Sequence, residues 1–431
     1  MRNLFCVFLS IILFSQCAEH NMKPEQQLWQ KASIYEVNIR QYTSEGTFAS
    51  FREHLPRLKD MGVDILWFMP IHPIGELNRK GDLGSYYSVK DYYGINPEFG
   101  TIEEFQQLVT EIHKLGLYII IDWVANHTAW DNSIAEKYPS WYTKDNQGNF
   151  QPPVGTDWHD VIDLDYQNIE LRAYMTEAMK YWVREVDIDG FRCDVAGMVP
   201  LSFWEKSIPE LRKLKPLFFL AESDEPNLLK NAFDADYNWE LYHLLKDIAS
   251  EDKDIEQIQN FFEFPTKVYP NNSFRMNFLD NHDENSWGRV MERYFGQKVY
   301  PLMTMIFTIP GIPMVYSGQE TKLDKKLEFF EKDTIHWSDF PNHEFYKSLN
   351  ALRKNESVFW NYHSSIEFLD TLPSGLVGYK RTYKEEVCYV ILNLRDEKIF
   401  LNKNQKDKRI LFKDKNSDSN FISPYGYIVY K

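Results

Sequence analysis

Eight short apolar, β-rich runs recur along the chain, at residues 34–39, 63–69, 117–123, 188–194, 217–222, 233–237, 274–279 and 312–316, and the stretches between them are longer and amphipathic. Repeated βα units require that alternation, because a strand covered by helices outside and by its fellows inside is apolar on both faces. Eight units predict a closed (β/α)8 barrel over residues 28–350. The intervening helices carry their own punctuation: Thr101-Ile102-Glu103-Glu104 reads as a capping box and Gly116 as the stop of the same helix. Residues 171–185 form a second clear helical pattern.

Two segments depart from the alternation. Residues 128–168, after the third run, are rich in Trp, Tyr, Pro, Asp and Gly without periodicity, which predicts a short inserted subdomain over the barrel mouth. Residues 355–431 change to short alternating segments separated by turns, including 378–382 and 387–393, and predict a C-terminal antiparallel β domain. At the N-terminus, Arg2 precedes an apolar run over 4–14 that is too short to span a bilayer and suits an export signal occupying residues 1–17. Phe14-Ser15-Gln16-Cys17 resembles a lipoprotein cleavage box, although Gln16 and Phe14 depart from its usual residues. The expectation is an exported protein, periplasmic or held at the outer membrane, with a lipid anchor at Cys17.

Charge and cysteine usage narrow the partners. A formal net charge of −15 without a long basic run argues against nucleic acid or anionic membrane as the main partner, whereas a neutral polymer is not repelled. Only Cys193 and Cys388 lie in the body of the chain, so no disulfide framework is present. Aromatic residues make up 16% of the sequence, a surplus that suits both cores and the stacking of sugar rings.

Acidic residues sit where barrel enzymes place their chemistry, at the C-terminal ends of strands. Asp122 ends the third run, Asp194 the fourth and Glu222 the fifth, and Asp283 follows the seventh. In Gly190-Phe191-Arg192-Cys193-Asp194 the period of two places Arg192 and Asp194 on one face, towards the lumen, and Cys193 on the other. The arginine beside it is expected to lower the pKa of Asp194 and keep it an ionised nucleophile. Glu222, in a tight site beside that negative charge, is expected to hold a proton at neutral pH. An ionised and a protonated carboxyl about 5–5.5 Å apart are the equipment of a retaining glycosidase.

The motifs Asp122-Trp123-Val124-Ala125-Asn126-His127, Gly190-Phe191-Arg192-Cys193-Asp194, Glu222-Ser223 and Phe278-Leu279-Asp280-Asn281-His282-Asp283 resemble, in order, the four signature regions of the α-amylase superfamily. Residues 91–101 and 311–320 resemble two further segments of the same family, and the likeness spans roughly 30–350.

The resemblance implies Asp194 as nucleophile, Glu222 as general acid/base and Asp283 as the carboxylate that stabilises the transition state. It also implies that Arg192 orients the nucleophile, that His127 and His282 hydrogen-bond the sugar left of the cut, and that Tyr87 stacks on it. Asp122 is read as structural support for the arginine. Calcium is the family's usual structural ion, and Asn126 and Asp163 match two of its ligand positions. The implied activity is endo-type cleavage of α-1,4 bonds in starch, glycogen or maltooligosaccharides. Gly197, where many endo-amylases carry lysine, and Val195, a residue type also found in α-1,6-acting relatives, leave open a neopullulanase-like, oligo-1,6-glucosidase-like or 4-α-glucanotransferase activity. A non-catalytic glycan-binding barrel is disfavoured because all three carboxylates are present.

Overall fold

The computed structural model describes residues 28–270, 273–401 and 408–431. The expected export signal over residues 1–17 and Cys17 lie outside the described residues. Eight parallel strands close into a barrel: Ile34–Val37 (β1), Ile65–Phe68 (β2), Tyr118–Trp123 (β3), Gly190–Cys193 (β4), Phe218–Ala221 (β5), Ala235–Tyr237 (β6), Phe274–Asn277 (β7) and Ile312–Tyr316 (β8). Each strand lies beside its neighbours in chain order, and β8 pairs with β1 through Ile34↔Met314 and Glu36↔Tyr316. Each apolar run contains one strand, but the strands are shorter, because the ends of several runs leave the ladder at the mouth. The backbone amides of Asp194 and Glu222 still bond to Trp123 and Cys193 of the preceding strands, at 3.0 Å each, before the chain turns away.

The helix Ile102–Lys114 opens on the Thr101/Glu104 capping box, both halves of which form. It buries Phe105, Leu108, Val109 and Ile112, a stripe at spacing three and four, against the barrel. Register sets the core of the site: Asp122 on β3 is paired with Arg192 on β4, and Cys193 with Ala221 on β5. That register depends on Gly190, whose φ is +151° and where an added Cβ would stand 1.9 Å from the carbonyl oxygen of Phe218. No side chain fits between β4 and β5 at that level.

Residues 128–168 form a small excursion anchored by an antiparallel pair, His127–Ala129 with Val161–Asp163. The C-terminal sheet contains Ser365–Phe368 (β9), Leu376–Tyr383 (β10), Glu386–Asn393 (β11), Ile410–Lys413 (β12) and Tyr427–Tyr430 (β13) in the order β9-β10-β11-β13-β12. No helix among the described residues is long and apolar enough to cross a membrane.

Candidate active site

A cavity of about 530 Å³ opens at the C-terminal face of the barrel, lined among others by Tyr87, His127, Asp194, Val195, Glu222, His282 and Asp283. These follow several different strands of the βα alternation, and the barrel's closure brings them together. At the centre is Arg192, which is fully buried. Its Nη1 donates to Asp122 Oδ1 and Oδ2 at 2.9 and 3.0 Å and to Asp194 Oδ1 at 3.2 Å, and its Nη2 lies 2.8 Å from Glu222 Oε1. The guanidinium is roofed by Trp67 and Tyr237, whose ring centroids lie 5.1 and 5.7 Å away. One cation therefore grips three carboxylates.

The turn after Asp194 is strained. Val195, a β-branched residue, has φ +35°. This conformation aims its amide at Glu222: Val195 N donates to Glu222 Oε2 at 2.7 Å, and Ala196 N to the Glu222 carbonyl at 3.1 Å.

A second network organises the opposite wall. His282 Nδ1 donates to Glu36 Oε1 on β1 at 2.6 Å, its Nε2 lies 2.8 Å from the Tyr87 hydroxyl and 3.4 Å from Asp283 Oδ2, and that hydroxyl donates to Asp122 Oδ2 at 3.1 Å. The donor directions agree with a doubly protonated His282. Burial would discharge it, but Asp283 and Glu36 outweigh burial and raise it to about 9. His127 has no such partners, and burial lowers it to about 3, leaving a neutral ring. Tyr87 stacks on His282 at 5.5 Å and 23°.

The electrostatics of Asp194 correct the sequence expectation. Burial, followed by the Glu222 carboxylate, raises Asp194 well above the ordinary carboxylate range, and Arg192 opposes this without prevailing. The physical reason is that Arg192 is shared. Asp122 is raised too, to about 6, by burial against the pull of the same arginine. The site therefore has more carboxylates than cations to neutralise them.

The structure brings the predicted catalytic and sugar-binding residues to one cavity, and the two candidate calcium ligands have partners of their own. Asp163 Oδ2 accepts the Thr143 hydroxyl at 2.9 Å, and the Asn126 amide lies 3.3 Å from His127 Nδ1. One carboxylate and one amide fall short of the six to eight oxygens of a calcium shell. Among the described residues, the one cluster of three metal-ligating types is Asp60, His343 and Glu344, far along the chain from both. These residues do not fit the ion.

Sequence reading missed Glu36, Lys80, Trp158, Asp160, Trp287, Phe329 and Phe330, all part of the cavity or of its support. Glu36 gave a signal, since a carboxylate inside an apolar barrel strand must face a cation. The others lie in loops whose partners periodicity does not reveal.

The family model "Alpha amylase, catalytic domain" matches residues 21–227. Alpha-amylase 3 of Dictyoglomus thermophilum is 24% identical over 507 aligned positions, covering 100% of this chain and 98% of that relative. The crystal structure of an α-amylase from Lactobacillus plantarum superposes with a TM-score of 0.83 at 29% identity, over 94% of this chain and 100% of that one. That of the noncanonic maltogenic α-amylase AmyB from Thermotoga neapolitana does so with a TM-score of 0.81 at 31% identity, over 93% and 96%. With its closed barrel, its carboxylates around one buried arginine and likeness along nearly its whole length, the chain belongs to the α-amylase family of glycoside hydrolases.

Proposed function

We propose that the protein is a retaining hydrolase of α-1,4-glucosidic bonds in maltooligosaccharides and in starch- or glycogen-type chains. The observation that carries this reading is the single guanidinium that holds both Asp194 and Glu222. Two carboxylates held by one guanidinium are compatible with the retaining spacing of about 5–5.5 Å. The names of the relatives, α-amylase and maltogenic α-amylase, support the α-glucan part.

In this mechanism Glu222 gives its proton to the glycosidic oxygen while Asp194 Oδ2 attacks the anomeric carbon. The C1–O bond breaks, and its electron pair leaves with the newly protonated sugar. Glu222 then takes a proton from water, whose oxygen displaces Asp194. Arg192 holds Asp194 Oδ1, so the other oxygen faces the sugar. His282 and Asp283 grip sugar hydroxyls.

Time-resolved NMR of maltoheptaose hydrolysis is expected to show the α-anomer first. Initial appearance of the β-anomer overturns the reading. Asp194→Asn and Glu222→Gln each lower the rate at least about a thousandfold while leaving the thermal transition in place. Pullulan cleavage faster than maltoheptaose cleavage overturns the α-1,4 assignment.

A further inference from the structure

The loop after β2 does more than carry Tyr87. Its segment 79–84 is tied on one flank to the inserted subdomain and on the other to the loop after β8. On the first flank, Lys80 Nζ lies 2.9 Å from Asp160 Oδ1 and 3.4 Å from the Asp157 carbonyl. Asp160 is 5% exposed, so its carboxylate is withdrawn from water and given over to this lysine. On the second flank, Leu83 N donates to the Phe330 carbonyl at 3.0 Å and Asp82 N to Glu331 Oε1 at 2.9 Å. Gly81 (φ +66°) presses so closely there that a Cβ would stand 2.5 Å from Phe330 Cβ. Beneath, the buried Arg40 donates to the carbonyls of Leu83 and Gly84 at 3.2 and 2.9 Å. The result is one continuous, pinned wall.

Its place relative to the cut follows from the site. The sugar joined to Asp194 lies among Tyr87, His127 and His282, and the leaving group lies towards Glu222 and the Val195 turn. Any sugars that continue the chain on the non-reducing side pass beyond Tyr87 and His127. The wall stands on that side: the Ser88 hydroxyl, next to Tyr87, donates to the Asp160 carbonyl at 3.0 Å, and Trp158 packs on His127 at 5.3 Å. Phe329, parallel to Tyr87 at 6.3 Å, and the exposed Trp287, 5.2 Å from Phe329, offer apolar faces to a sugar before the wall.

We propose that the Lys80–Asp160 pair closes the non-reducing end of the cleft, so that the enzyme takes α-glucan chains from their non-reducing ends and releases short α-configured products. This rests on the α-1,4-hydrolase reading and departs from the endo-type action implied by family resemblance. The wall leaves room for a few pyranose rings and blocks the passage of a chain that runs through.

The test uses p-nitrophenyl α-maltoheptaoside with its non-reducing end either free or blocked by an ethylidene group. The wild-type protein is expected to cut the free substrate at least about fiftyfold faster than the blocked one. Lys80→Ala is expected to narrow that ratio by about tenfold or more, by gaining rate on the blocked substrate, and Lys80→Arg to preserve it. Wild-type rates within about twofold of each other overturn the closed end. Equal loss on both substrates in Lys80→Ala, with an unchanged thermal transition, overturns the assignment to Lys80. Cleavage of neither substrate by the wild type overturns the α-1,4 reading itself, and this inference with it.

Discussion

Glu36 shows how a residue outside the cavity lining can govern one that lines it. It is fully buried on β1, its Oε1 takes the His282 Nδ1 proton at 2.6 Å, and its other oxygen has no hydrogen-bond partner. His282 faces Glu36 from the first strand, the Tyr87 hydroxyl from the loop after β2, Asp283 beside it, and Asp122 and Arg192 across the lumen. Burial alone would discharge the ring, and Asp283 and Glu36 reverse that, raising it to about 9. The sign follows: stability from the charged ring is fully present below its unfolded value near 6.5 and is lost as pH rises through about 9. Glu36→Gln keeps the shape and removes one raising charge, so the alkaline limb of kcat/KM is expected to move to lower pH. At about pH 8.5 activity is expected to fall about tenfold against wild type, with a smaller loss near neutrality. A uniform loss at all pH values would mean that Glu36 only holds the fold.

At the scale of elements, β4 and β5 lead into Asp194 and Glu222, and their contact hangs on one glycine. Gly190 pairs with Phe218, and a methyl group there would meet its backbone at 1.9 Å from oxygen and 2.9 Å from nitrogen. Gly190→Ala is expected to cost about 3 kcal/mol or more, read as a lowered thermal midpoint together with lost activity. An unchanged midpoint would show that the strands can separate freely at this level. The same pair shows what sequence could and could not reveal. Apolar runs located all eight strands, and a period of two placed Arg192 in the lumen, because both depend on each strand's own residues. The upward shift of the Asp194 carboxyl is not legible in the sequence because it depends on burial and on how many carboxylates share that arginine, which only packing across β3, β4 and β5 decides. Glu320, fully buried between Arg57 at 2.6 Å and the Tyr35 hydroxyl at 2.6 Å, went unread for the same reason. A calcium shell is illegible for the same reason: Asn126 and Asp163 match two positions by motif, while the remaining ligands would have to come from elsewhere in the chain.

Across the whole molecule, barrel and C-terminal sheet share one hydrophobic core. Tyr379, Val390 and Val429 of the sheet belong to the same buried cluster as Ile306 and Ile312 of the barrel side. The helix Val299–Thr308 is buried at nine of its ten positions, which a surface helix cannot tolerate without a cover on each side. The sheet is that cover: Tyr379 shares a 2.6 Å hydrogen bond with the Thr308 hydroxyl, and Arg381, also buried, donates to the Thr308 carbonyl at 2.6 Å. Arg353, on the last barrel helix His343–Asn355, donates to the carbonyls of Gln30, Gly311 and Phe359 at 2.9, 2.7 and 2.6 Å and so ties the start of the barrel to its end. Removing residues 356–431 would expose the outer face of Val299–Thr308 and leave the Thr308 carbonyl without its buried donor, each an unfavourable change. The full chain is therefore expected to unfold in one calorimetric transition, and the barrel cut after residue 355 to be insoluble or to melt without cooperativity. Two resolved transitions in the intact protein, or a soluble truncated barrel that still cleaves maltoheptaose, would show that the sheet is an independent module rather than the outer half of the core.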